Sequence, residues 1–92
     1  MAIVVIATTP GLTAEQYDET VRRQNLNGGL PAGCSAHIAG PTPDGWQVVA
    51  VWETPDAATQ FMREVLQPIM RDLGITPPAK PPVIYPLHNL TT

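Results

Sequence analysis

From Ala2 to Thr8 the chain reads Ala-Ile-Val-Val-Ile-Ala-Thr. A β-branched run of this length predicts a strand, with Ile3 and Val5 pointing to one side and Val4 and Ile6 to the other. Both sides are apolar, so both faces of this strand need cover. Pro10-Gly11 ends it. Thr13 then stands three residues before Gln16, the capping-box spacing that satisfies orphan amides at a helix start. The predicted helix runs to about Asn25, with Ala14, Tyr17, Val21 and Leu26 as a narrow inward stripe. Asn27-Gly28-Gly29 stops it, and Leu30 to Gly33 leads into the next strand.

Cys34 to Glu53 reads as strand, turn, strand. Thr42-Pro43-Asp44-Gly45 supplies the turn: Pro presets φ, Asp bonds its own backbone, and Gly tolerates positive φ. Thr54 caps a second helix with Pro55 at its first position and Asp56 in its first turn, both favourable there. Ala58, Phe61, Met62, Val65, Leu66, Ile69, Met70 and Leu73 recur at three-and-four spacing up to Gly74, a wide core-facing stripe. Pro68 lies inside this helix and removes the bond to the carbonyl of Glu64, which predicts a kink. Thr76 to Pro82 is a stiff, extended connector, and a last strand runs from Val83 to about Leu87. The order β-α-β-β-α-β predicts an α+β, ferredoxin-like fold, a four-stranded antiparallel sheet with two helices on one face. The first and third strands are then central. Pro86 suits an edge.

Length and charge sharpen this picture. With 92 residues the chain reads as a single domain over 1–92 with a thin core. Charged residues make up only 14%, well below the usual quarter, so part of the exterior reads as interface. A net charge of −3 with five Lys and Arg offers no basic stripe, which argues against nucleic acid as a partner. The single cysteine, Cys34, excludes an internal disulfide and reads as a small buried hydrophobe in a reducing, cytoplasmic setting. The apolar start is too short for a signal-peptide core or a membrane span.

The element order, the stretch His-Ile-Ala-Gly-Pro-Thr-Pro-Asp-Gly-Trp from His37 to Trp46, the Trp52-Glu53 pair before the second helix and the closing Val83 to Asn89 together resemble the dimeric α+β-barrel superfamily, and within it a small actinobacterial-type branch. That resemblance implies a homodimer whose two sheets close into one barrel. Members include quinone-forming monooxygenases, polyketide cyclases, lactone isomerases, haem-degrading enzymes and stress-response proteins, so it implies a pocket location and not one reaction. No flavin, haem or metal signature is legible, and none is assigned.

His37 is the first catalytic candidate, because an imidazole titrates near neutrality and a strand holds it rigidly. The alternative is a partly buried histidine bonded to backbone. Tyr85 is the second catalytic candidate and His88 a substrate-binding one, both against edge or interface packing. Trp46 and Trp52, six apart on one strand, share a face and read either as ligand platforms or as core and interface rings. Tyr17 points inward and could present its hydroxyl to the same space. Which face His37 occupies depends on the hairpin register, since a one-residue slip reverses it. Two functions follow. One is a cofactor-free enzyme of cyclase, isomerase or monooxygenase type for a small hydrophobic, aromatic or polyketide-like substrate; the other is a non-catalytic ligand-binding or stress-response module.

Overall fold

The computed structural model describes residues 1–26, 28–78 and 80–92. Asn27, in the expected helix stop, and Ala79, in the extended connector, lie outside the described residues. The elements are β1 (Ile3–Thr9), α1 (Ala14–Gln24), β2 (Cys34–Thr42), β3 (Gly45–Trp52), α2 (Pro55–Phe61), a π-helical turn (Met62–Leu66), α3 (Gln67–Asp72) and β4 (Val83–Pro86). The four strands form one antiparallel sheet in the order β2-β3-β1-β4, with β1 and β3 central. This is the ferredoxin-like arrangement.

Local chemistry accounts for the boundaries. The Thr13 side chain accepts from the Gln16 amide while the Gln16 side chain accepts from the Thr13 amide, and Asn25 closes α1 in the left-handed region at φ 57°. Thr54 caps α2 by accepting from the Ala57 amide, with Pro55 at the start of the helix where its missing N–H costs nothing. At the hairpin, Thr42 Oγ1 donates to the Gly45 carbonyl at 2.7 Å. Gly45 sits at φ +136°, where a Cβ would stand 2.7 Å from the Thr9 carbonyl oxygen, so the position needs glycine.

The register sorts the side chains into two layers. Ile3 faces Trp52 and Val5 faces Ala50, and all four pack with Ala58 and Phe61 of α2. That is the core beneath the helices. Strand alternation sends Val4, Ile6, Val49 and Val51 to the far face, joined there by Ala36, Ile38, Val83 and Tyr85. Val4 and Val51 are shielded at its centre, whereas Ile38, Val83 and Tyr85 stand 68%, 58% and 45% exposed.

The predicted inward stripes of the helices need two corrections. In α1 the buried side chain is Thr20, while Ala14 and Val21 of the predicted stripe are exposed. Thr20 can lie inward because its hydroxyl donates to the Tyr17 carbonyl at 2.6 Å and so carries no unmet polar cost. In the second helix the chain meets Pro68 by widening just before it. The Gln67 amide bonds the Met62 carbonyl five residues back, and backbone angles stay right-handed through Met62, Leu66 and Gln67. The extra residue in this turn makes room where the proline ring would meet the preceding carbonyl. It also turns Met62, expected inward, to 39% exposure. Among the described residues no helix is long and apolar enough to cross a membrane.

Candidate functional site

The position of His37 is decided by one irregularity. Cys34 faces Trp52, yet Ala36 faces Val51, so Ser35 is an extra residue and β2 bulges there. Without the bulge, alternation from Cys34 would carry His37 to the far face. With it, His37 pairs with Ala50 and joins the helix-covered side. Trp46, paired with Thr9 at the other end of β3 from Trp52, lies on the same side.

Tyr17 meets both from above. Its amide bonds the Thr13 carbonyl at 3.0 Å, which places it one turn into α1. Its hydroxyl oxygen is 2.6 Å from His37 Nε2. The Tyr17 and His37 rings stack with centroids 6.1 Å apart at 22°, and Tyr17 tilts against Trp46 at 5.1 Å and 31°. Three side chains from three elements thus form one row of rings on the covered face of the hairpin.

Electrostatics keep the row uncharged at neutral pH. Loss of water around the ring lowers the His37 pKa below the ordinary 6.5. Burial, and then the neighbouring Asp18 carboxylate, raise that of Tyr17 above the ordinary 10.0. With the ring proton on Nδ1, the hydroxyl donates to an unprotonated Nε2. An imidazole so engaged is a base only toward a proton that arrives where the Tyr17 hydroxyl now stands. The indole Nε1 of Trp46 is fully buried and has no hydrogen-bond partner.

The remaining candidates stand apart from this row. Tyr85, the second catalytic candidate, pairs with Val4 on the far face of the sheet, opposite the side that His37 occupies. Alternation along β4 is kept despite Pro86. His88 lies beyond β4 and is exposed. Trp52 is 6% exposed and packs on Phe61 with centroids 5.3 Å apart, a core ring. The Cys34 thiol donates to the Ala36 carbonyl, and burial pushes its pKa up, which keeps it a protonated thiol at neutral pH. Among the described residues no three His, Cys, Asp or Glu side chains converge as metal ligands.

Two surface cavities lie elsewhere. One, of about 470 Å³, sits between the end of α1, the loop before β2 and the second helix, where Leu26, Gly33, Phe61 and Glu64 line it. The other, of about 360 Å³, lies beside Met70, Arg71 and Ile75. Neither is lined by Tyr17, His37 or Trp46. Sequence reasoning missed two residues that build the row. Ser35 makes the bulge, and Thr20, three residues after Tyr17, seats the helix; only the second has a sequence signal, a hydroxyl at backbone-bonding distance along a helix.

No family model matches the chain. No curated protein matches it in sequence. Solved structures match it in fold. A conserved protein from Methanosarcina mazei Go1 superposes with a TM-score of 0.63 at 17% identity, covering 94% of this chain and 92% of that one. A protein from Chloroflexus aurantiacus J-10-fl that bears the name of the antibiotic biosynthesis monooxygenases gives 0.59 at 12% identity, over 99% and 95% of the two chains. One from Bordetella bronchiseptica under the same name gives 0.59 at 20% identity, over 98% of each. The chain therefore shares the ferredoxin-like α+β fold of these proteins along nearly its whole length.

Proposed function

We propose that this protein is a homodimeric, cofactor-free enzyme that acts on a small hydrophobic, aromatic or polyketide-like substrate by monooxygenase, cyclase or isomerase chemistry. The observation that carries the reading is the 2.6 Å contact between Tyr17 and His37 Nε2 beside Trp46. The names of the Chloroflexus and Bordetella neighbours favour the monooxygenase variant. Exposed Ile38, Val83 and Tyr85 on one sheet face support a second copy of the chain as its cover. The setting is the cytoplasm, and the actinobacterial-type branch of the dimeric α+β-barrel superfamily is its place.

In this reading a substrate phenol or acidic C–H enters beside Tyr17. The Tyr17 hydroxyl swings from Nε2 to the substrate oxygen, His37 takes the released proton at Nε2, and Tyr17 steadies the developing oxyanion by hydrogen bonding. The test is His37→Ala, with fold and dimer confirmed by circular dichroism and sedimentation. Turnover of a compound processed by the wild type falls by about a hundred- to ten-thousandfold if His37 is the base. Unchanged turnover in a folded variant removes it. A monomer at micromolar concentration in sedimentation removes the dimer. A second reading, a ligand-binding module without catalysis, is favoured by one fact: the two cavities described above lie away from the row of rings.

A further inference from the structure

The larger cavity, of about 470 Å³, has the size of a small-molecule site, and Tyr17, His37 and Trp46 take no part in its lining. Backbone bonds fix its wall. The Glu53 amide donates to the Gly33 carbonyl at 2.8 Å, which ties the lead-in of β2 to the residue just before the cap of α2. Gly33 then passes so near Ala57 that a Cβ on it would stand 2.9 Å from the Ala57 Cβ. The space is formed without a ligand, so a ligand that enters it does not have to order the wall.

The lining is one-sided in its chemistry. Leu26, Phe61 and Val65 are half-buried and apolar, and Phe61 brings an aromatic ring that also packs on Trp52. The polar lining is Gln24, Gln60 and Glu64, with no Lys or Arg among the described residues. Glu64 is exposed, at the mouth. Gln60 Nε2 donates to Glu64 Oε2 at 3.2 Å, an amide contact that orients the carboxylate without neutralising it. Both ion pairs among the described residues belong to Glu19, and neither involves Glu64. An apolar interior with an aromatic ring and an uncompensated carboxylate at its opening is complementary to an organic ammonium ion. A ligand carboxylate would meet like charge there, and an alcohol would gain a hydrogen bond without the charge.

We propose that this cavity is a second binding site, for a small hydrophobic amine whose ammonium group pairs with Glu64 at the mouth and whose apolar body lies among Leu26, Phe61 and Val65. The site goes beyond the Tyr17–His37–Trp46 row and does not depend on it.

The experiment uses the intact protein, labelled with nitrogen-15, titrated with phenethylamine, phenethyl alcohol and hydrocinnamate, which share one body and differ in the head group. Phenethylamine should move the amide signals of Leu26, Phe61 and Val65 and bind about tenfold more tightly than the alcohol, the gain from one charged hydrogen bond at an exposed site. Hydrocinnamate should bind more weakly than either, and added salt should weaken the amine alone. Glu64→Gln removes the charge at an exposed position, and should bring the amine down to the alcohol's affinity while leaving the alcohol unchanged. Ala32→Phe, also exposed, should fill the mouth and abolish binding of both. Circular dichroism checks both folds, and the three head groups on the wild type decide the class without either variant. If alcohol or hydrocinnamate binds as tightly as the amine, or Glu64→Gln keeps the amine's affinity, the ammonium class is overturned. If no compound moves Leu26, Phe61 or Val65 at millimolar concentration, or Ala32→Phe binds as the wild type does, the cavity is not a site. Movement of Tyr17 and His37 signals in place of these three would assign the ligand to the row of rings and overturn the proposal.

Discussion

Replacing Tyr17 with phenylalanine removes one oxygen atom and leaves nearly everything else. The ring that packs at 5.1 Å on Trp46 and stacks on His37 is retained, and the backbone bond from Thr20 to the residue 17 carbonyl does not involve the side chain. What is lost is the 2.6 Å bond to His37 Nε2. A net hydrogen bond between neutral groups is worth about 1 kcal/mol, and His37 is exposed enough for water to replace its partner, so the cost should not exceed that. For a domain of this size such a loss lowers the thermal midpoint by about 4–8 °C at most. The sharper readout is the imidazole. A donor to Nε2 stabilises the neutral ring, so its removal raises the His37 pKa from its depressed position toward the ordinary value of 6.5. Proton NMR titration in a His88→Gln background leaves one histidine to follow. A His37 titration curve identical in the wild type and Tyr17→Phe, with no change in midpoint, would show the two rings to be neighbours without a bond and would refute the proton path built on them.

Other consequences are testable on purified protein. Trp52→Ala, which empties a site 6% exposed and packed on Phe61, should destabilise by about 4 kcal/mol in urea titration, and a loss below about 1 kcal/mol would place the ring outside the core. Gly33→Ala should cost about 1–2 kcal/mol or more, because Gly33 holds φ +84° and an added Cβ would stand 2.9 Å from the Ala57 Cβ; a neutral change would mean the loop yields freely. The pH dependence has a stated sign. His37 has a folded pKa below its unfolded one, so the unfolded chain binds the proton more readily and stability falls as pH drops below 6.5. Tyr17 has a folded pKa above its unfolded one, so the unfolded chain releases the proton more readily and stability falls as pH rises beyond 10.0. In the Tyr17→Phe variant the alkaline arm should weaken, as a urea midpoint measured across pH would detect.

Much of the fold was legible because its signals are local. The Thr13–Gln16 box, the Thr54–Pro55 start and the Pro43-Asp44-Gly45 turn each depend on a few consecutive residues, and each forms as read. The two tryptophans share a face because six is an even number along a strand. What escaped the sequence depends on pairing between distant segments. No residue near Ser35 announces a bulge, yet that bulge alone turns His37 toward Tyr17. Tyr85 and His37 are both catalytic candidates by residue type, and only the pairing with Val4 sends Tyr85 to the other side. A hydropathy stripe counts Thr20 as polar, whereas a threonine whose hydroxyl is already bonded to its own helix packs like a valine. The π turn before Pro68 has no signal of its own in the composition of the helix.

The two outer strands have a bearing on how the protein behaves when crowded. An open sheet invites other chains to add along its borders, since each border strand has a row of free amides and carbonyls. Here β2 is interrupted by the bulge at Ser35 and by Pro41, which has no amide to offer, while β4 spans only Val83–Pro86 and also ends in proline. Both borders are poor templates for growth. The homodimer proposed above is the alternative to such growth: it uses the flat side of the sheet, where contact saturates after one partner instead of extending into a fibre.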